Sequence, residues 1–268
     1  MIRCTYPLRA WLLFAILSAL INSTEAQSDR VVLSSSPGYS ISWDGNNGGF
    51  SSPEPGATAP DNPALASNGA AAFGSTAYLP GGIHDFPNVI DGFYGNSSSW
   101  ISDFRIPDTN AFIGVAFGKS VAISSIAWSR DNGDDTERTP SGPYTDRSVA
   151  IYTLQVTTVS NPGVDTMETG DPTTGWASIG TVEYKPGSDN IFFSAYLRHR
   201  FEVSAANQPI PATGLRIKVS DGGTDIDEIE VNPPADPSPP IATFIAITSA
   251  PGYSVDWNGK NGEFSNTN

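Results

Sequence analysis

Residues 37–50, PGYSISWDGNNGGF, return as residues 251–264, PGYSVDWNGKNGEF, at an offset of 214 positions. The flanks agree as well, Val31-Val32-Leu33-Ser34 matching Ile245-Ala246-Ile247-Thr248. A repeat at that spacing has the length of a domain, so whatever folds between the copies is one structural unit with its own core. The stretch Asn232 to Pro240 (NPPADPSPP) is stiff, extended and proline-rich, as a linker is. The expected layout is a signal peptide over 1–26, a complete domain over 31–231, a linker over 232–240, and over 241–268 the truncated start of a second repeat.

Within 31–231 the apolar residues fall in short runs of strand length. Ile151 to Val156 (IYTLQV) alternates apolar and polar residues. Phe112 to Phe117 is followed by Gly118-Lys119-Ser120, which reads as a turn. Val121 to Trp128 changes phase at Ser124-Ser125, which predicts a bulge. Further strands are expected at 177–184, 197–203, 214–219 and 226–231, rich in β-branched and aromatic residues. No segment carries a capped 3.6-residue stripe, although 62–73 (NPALASNGAAAF) has the look of a short helical turn interrupted by Gly69. Only 16% of residues are charged, with 26 Gly and 22 Pro, which excludes a coiled coil or bundle. The expected fold class is all-β, a β-sandwich or jelly roll.

The net charge of −14 comes with four Lys and ten Arg and no basic run, which excludes nucleic acid and anionic membrane surfaces as partners. Arg3 and Arg9 precede the apolar run Trp11 to Ile21, and Thr24-Glu25-Ala26 offers a cleavage site. These features predict secretion to the extracellular space or cell surface, with no membrane insertion after cleavage. The single cysteine, Cys4, lies inside that leader. Disulfides, thiolate metal sites and Cys nucleophiles are therefore not expected in the mature chain. Gly-x-Ser-x-Gly, His-Glu-x-x-His and phosphate-loop patterns are absent, and no carboxylate pair stands in a recognisable glycosidase setting.

The order of motifs resembles the discoidin domain (coagulation factor 5/8 type C), within the galactose-binding-like jelly rolls. The residues that carry it are Asn88-Val89-Ile90-Asp91-Gly92 leading to Ser97-Ser98-Ser99-Trp100-Ile101, then FIGVAFGKSVAISSIAW, Arg130-Asp131-Asn132, IYTLQV, Leu197-Arg198-His199-Arg200, Ala212 to Ile217, and Ile226 to Val231. It covers roughly 80–231. The chain departs from the animal members in lacking a cysteine bridge, in carrying 31–80, and in an inserted loop at 133–146. The resemblance implies binding of carbohydrate, lipid headgroups or proteins through loops at one end of the sandwich. It also implies a structural Ca²⁺, with Asp91 and Glu228 as carboxylates, Ser98 as hydroxyl or carbonyl, and the Asp227 carbonyl beside them. Such an ion takes six to eight hard oxygens.

Other candidates come from the residues themselves. Asp131, Asn132, Asp134 and Asp135 crowd oxygens around Gly133, as a solvated acidic loop or a second ion site. Arg130, just after a strand, stands at the expected rim, where a guanidinium can fork onto sugar hydroxyls. A strand through 197–200 puts Arg198 and Arg200 on one face and His199 on the other, so that His199 is either a core imidazole or, with Arg198, a ligand contact. His84, the only other histidine, is in a loop. Of the aromatics, Trp100 and Trp128 read as core, while Tyr94 and Tyr144 in Gly-rich loops read as rings available for stacking on sugar. The leading expectation is a secreted, non-catalytic module that binds a carbohydrate or cell-surface glycoconjugate. The alternatives are an adhesive repeat with extracellular protein partners and, third, a glycoside hydrolase.

Overall fold

A computed structural model describes residues 31–43, 57–95, 98–105, 110–130, 147, 149–185 and 198–234. The chain divides into two units, Met1–Pro237 and Ser238–Asn268, and every described residue belongs to the first. The expected leader and second repeat therefore lie outside the described residues.

The described residues form twelve strands: β1 (Val31–Ser35), β2 (Tyr39–Ser42), β3 (Ala71–Gly74), β4 (Trp100–Ile101), β5 (Phe112–Ile123), β6 (Ser125–Ser129), β7 (Ile151–Thr157), β8 (Ala177–Tyr184), β9 (Arg198–Ala205), β10 (Ile210–Val219), β11 (Asp225–Ile226) and β12 (Ile229–Val231). They form a six-stranded sheet, β1-β8-β7-β10-β5-β3, a four-stranded sheet, β12-β6-β9-β2, and a two-stranded ladder, β11-β4, all antiparallel. This is the expected all-β sandwich. Among the described residues no helix is long and apolar enough to cross a membrane.

The alternation read in the sequence places the core. Ile113, Val115 and Phe117 of β5, Tyr152, Leu154 and Val156 of β7, and Leu215, Ile217 and Val219 of β10 point inward from one sheet. Ile126 and Trp128 of β6 and Phe201 and Val203 of β9 point inward from the other. Trp128 stacks on Phe201 at 5.0 Å and lies 5.2 Å from Tyr152, so aromatic rings span the two layers. Trp100 and Trp128 are core residues, as read from the sequence. Gly180, at φ +150°, permits β1 to close against β8, since a Cβ there would sit 2.2 Å from the Ser34 carbonyl oxygen.

Three local expectations change. The strand does not turn at Gly118-Lys119-Ser120 but runs through it, because the ladder skips there: Ala116 pairs with Gly214 and Val121 with Ala212. The extra residues bulge out while both flanks stay paired to β10. The expected final strand 226–231 is two pieces, β11 and β12, with Asp227 and Glu228 between them turned toward the loop after Asp91. The helical turn within 62–73 is a single 3₁₀ turn, Ala66–Asn68, ended by Gly69 in the left-handed conformation. The bulge predicted at Ser124 marks the β5–β6 break, where the Asn232 side-chain oxygen accepts from the Ser124 and Ser125 amides.

Candidate functional site

The last strand pair brings three carboxylates, Asp227, Glu228 and Glu230, toward the loop that starts at a fourth, Asp91. Asp91 is exposed, and its Oδ1 accepts from the Phe93 amide at 2.9 Å, closing a local turn. The Asp227 Oδ2 accepts from the Gly95 amide at 3.1 Å and the Ser129 hydroxyl at 3.2 Å. The Glu228 Oε2 accepts from the Gly92 amide at 3.2 Å, while its Oε1 has no hydrogen-bond partner among the described residues. Glu228 is fully buried, and burial, with Asp91, Asp227 and Glu230 nearby, pushes its carboxyl up to about 10. Glu230 is buried too, but it is satisfied: Arg198 grips it with Nε to Oε1 at 2.7 Å and Nη2 to Oε2 at 2.9 Å, and the Tyr94 hydroxyl donates to Oε1 at 2.6 Å.

The expected cation can be tested on this arrangement. A buried carboxyl with one unpartnered oxygen among other carboxylates is costly as an anion, and a hard divalent cation is what would offset it. The donors are of the right kind, with Ser98 described and next in line along the same loop. Among the described residues no three carboxylate or imidazole side chains are grouped to hold a metal, so backbone carbonyls and hydroxyls would have to complete the shell.

Most of the expected ligand contacts lie elsewhere than the rim. Tyr94 is buried and its hydroxyl is committed to Glu230, so the Gly-rich loop carries it inward, not out to solvent. Arg198 is buried on the Glu230 carboxylate. His199 has no exposed surface; its Nδ1 lies 2.7 Å from the Tyr184 hydroxyl and its ring 4.8 Å from Trp43, so it is the core imidazole of the two readings. Arg130 is also buried, close enough to Tyr152 to act on its phenol electrostatically. Asp131, Asn132 and Tyr144, with the rest of the 131–146 loop, lie outside the described residues.

What does converge on the rim is a group the sequence reading passed over. Residues 78–86, 102–105 and 220–224 meet beyond the β4–β11 ladder. The Ser102 amide donates to the Thr224 carbonyl, the Gly223 amide donates back to Ser102, and the Tyr78 amide donates to the Ile101 carbonyl. On this base Phe104 is 55% exposed, and its ring lies 4.7 Å from that of Tyr78. The Arg105 guanidinium lies 4.9 Å over the Tyr78 ring, donates to the Tyr78 carbonyl, and forks onto both Asp103 oxygens at 2.8 Å. Leu79 and Ile83 are exposed beside them. His84 stands 6.0 Å from the Tyr78 ring, with its Nδ1 3.1 Å from the Ser99 hydroxyl, which donates to Asp225. Burial and Arg147 hold its imidazole below the usual value. Gly222 packs closely under Phe104, where a Cβ would lie 3.2 Å from the Phe104 Cα. The only sequence signal for this site was the dipeptide Phe104-Arg105 after a buried strand, with a loop histidine upstream.

No protein-family model matches the chain, and no curated protein matches it. Solved structures similar to it include chitosan-binding module 1 of a chitosanase/glucanase from Paenibacillus sp. IK-5, 19% identical, covering 64% of this chain and 98% of that one at a TM-score of 0.40. The family 32 carbohydrate-binding module of Clostridium perfringens NanJ, solved with galactose, is 15% identical over 60% of this chain and 92% of that one, at 0.37. A Ruminococcus gnavus fucosidase solved with fucose is 14% identical over 64% of this chain and 26% of that one, at 0.39. At such identities and scores no ligand and no residue role carries across.

Proposed function

We propose that this chain is a secreted, non-catalytic module that binds carbohydrate through loops at one end of its sandwich, with a structural Ca²⁺ in the Asp91–Glu228 region. The observation that carries the reading is the exposed Phe104 ring beside Tyr78, flanked by Arg105, Asp103 and His84. A sugar presents an apolar C–H face ringed by hydroxyls. An exposed aromatic face matches the first, and a fixed guanidinium, carboxylate and neutral imidazole match the second. The Arg105–Asp103 pair is charge-balanced, so the groups beside the exposed ring offer donors and acceptors without an unpaired cation, which suits a neutral saccharide. The loops are tied to β4 and β11 by backbone hydrogen bonds, so the site is preorganised and little ordering entropy opposes binding.

Glycan-array binding followed by calorimetry tests this. Phe104→Ala and Arg105→Ala are each expected to weaken the best saccharide about tenfold or more; Phe104→Ala should leave the melting temperature within about 2 °C because its ring is largely exposed, whereas Arg105→Ala should also lower it because the buried Asp103 carboxylate loses its partner. Unchanged affinity in both variants would remove the site.

The cation is tested separately. Adding Ca²⁺ to chelator-treated protein should raise the melting temperature by several degrees, since a ligand at a hundred times its Kd adds about 2.7 kcal/mol. Glu228→Gln should abolish that rise, and in chelator it should melt above the parent, because the ion-free parent must take up a proton on Glu228 to bury it and the glutamine need not. A chelator-insensitive melting curve would dismiss the ion.

A further inference from the structure

The bulge in β5 forms one wall of a depression of about 290 Å³, lined by Gly118, Lys119, Ser120, Ser160, Asn161 and Thr213. It lies far from the Phe104 site. β7 starts beside Ser220, whose hydroxyl accepts from the Ile151 amide, and runs seven residues before the chain reaches Ser160, a distance of about 23 Å.

Its chemistry differs from the rest of the surface. The chain carries −14, and the ion pairs around the sandwich occupy Arg105, Arg198, Arg200, Arg216 and Lys218. No carboxylate lines the depression, and among the described residues the Lys119 ammonium has no acidic partner. The Ser120 and Ser160 hydroxyls and the Asn161 amide likewise make no hydrogen bond to the described residues. The Thr213 hydroxyl is anchored to the Thr157 and Val159 carbonyls, fixing that wall. The backbone on both sides is held in left-handed conformations, Gly118 at φ +67° and Asn161 at φ +51°. The second is uncommon for a residue with a side chain. Pro162, next in the chain, packs on Gly214, where a Cβ would lie 2.7 Å from the ring.

We propose that this depression is a second ligand site, and that it takes an oxyanion, the sulfate or carboxylate of an acidic saccharide. One ammonium with hydroxyl and amide donors around it and no carboxylate is the complement of such a group. The negative charge of the remaining surface is screened beyond about 8 Å at physiological salt, so local donors decide the encounter. The site is independent of the Phe104 rim, whose guanidinium is already paired with Asp103.

The full chain is titrated, with chemical shifts as the readout, using inorganic sulfate, a sulfated disaccharide, a hexuronate disaccharide and a neutral disaccharide. The expected result is saturable shifts at 118–120 and 160–161 with the anionic ligands, tighter for an anionic disaccharide than for sulfate. Binding should weaken as salt is raised, fall about tenfold in Lys119→Ala, fall in Ser160→Ala, and persist in Phe104→Ala. Equal binding by Lys119→Ala, or no saturable shift with any anion, overturns the site. Sulfate binding without tighter binding of either acidic disaccharide overturns the saccharide assignment. Loss of neutral-sugar binding in Phe104→Ala concerns the rim alone, so the two readings fail separately.

Discussion

Glu230→Ala should destabilise the protein by about 3–5 kcal/mol, the range for removing one partner of a buried ion pair. For a domain of this size that is roughly a 6–20 °C fall in melting temperature. The carboxylate is fully buried and holds three donors: two from Arg198, itself almost buried, and the Tyr94 hydroxyl. Truncation leaves a guanidinium charge and a phenol without acceptors in a low-dielectric layer. Glu230→Gln keeps one acceptor for Tyr94 but leaves the cation unbalanced, so it should fall between parent and alanine variant. The decisive variant is Arg198→Met with Glu230→Leu together. Apolar replacement of a whole buried pair is often neutral or stabilising, so the double variant should recover most of the loss. Chemical denaturation of the parent, Arg198→Met, Glu230→Leu and the double variant closes the cycle, and additive losses would show that the pair is not coupled.

The same residues show what the sequence could reveal. Strand identity was legible wherever apolar residues alternate, as in IYTLQV and ASIGTVEY, because a two-sided sheet imposes that period. The fate of Gly118-Lys119-Ser120 was not, because a turn and a bulge use the same residues and only pairing with Ala212 and Gly214 distinguishes them. The four-stranded sheet misled for a different reason. Its outer face is covered near β12, so Arg198, which reads as a ligand contact, is buried on Glu230. Burial of a charge depends on a partner 32 residues away, which no local pattern announces.

The binding rim was hidden more completely. Tyr94 drew notice because it sits between glycines, yet its loop is pulled inward by Gly92 and Gly95 amides bonding Glu228 and Asp227. Phe104 is exposed because it follows Ser102, whose backbone and hydroxyl are fixed to 221–224 and turn the chain outward. Residues 119 positions apart set the direction of that ring, so the signal was topological and not compositional.

Against the opposing contribution of the burial-raised Glu228 carboxyl, lowering the pH from 6.5 should withdraw the stability that the neutral imidazole of His199 supplies. Burial first, and then the neighbouring Arg198, lowers its imidazole from the ordinary 6.5 to about 3. The direction follows from proton counting: below pH 6.5 the unfolded chain takes up a proton that the folded chain refuses until about pH 3. Stability contributed by the neutral imidazole is therefore whole above 6.5 and declines as pH falls, at a slope approaching about 1.4 kcal/mol per pH unit. Between pH 6.5 and 4.5 that is roughly 2–3 kcal/mol, before most carboxylates begin to titrate. His84 is lowered too, but it is only half-buried and adds less in the same direction. His199→Gln keeps a polar group for the Tyr184 hydroxyl and does not titrate, so it should cost stability at pH 7 yet lose about one proton of linkage. Denaturant midpoints at half-unit steps from pH 7 to 4.5 measure this: the stability of the parent relative to His199→Gln should fall by about 2–3 kcal/mol over that range, the Glu228 contribution being common to both proteins. Parallel curves for the two proteins would mean that His199 is protonated in the folded state, and the buried, neutral imidazole between Trp43 and Tyr184 would have to be abandoned.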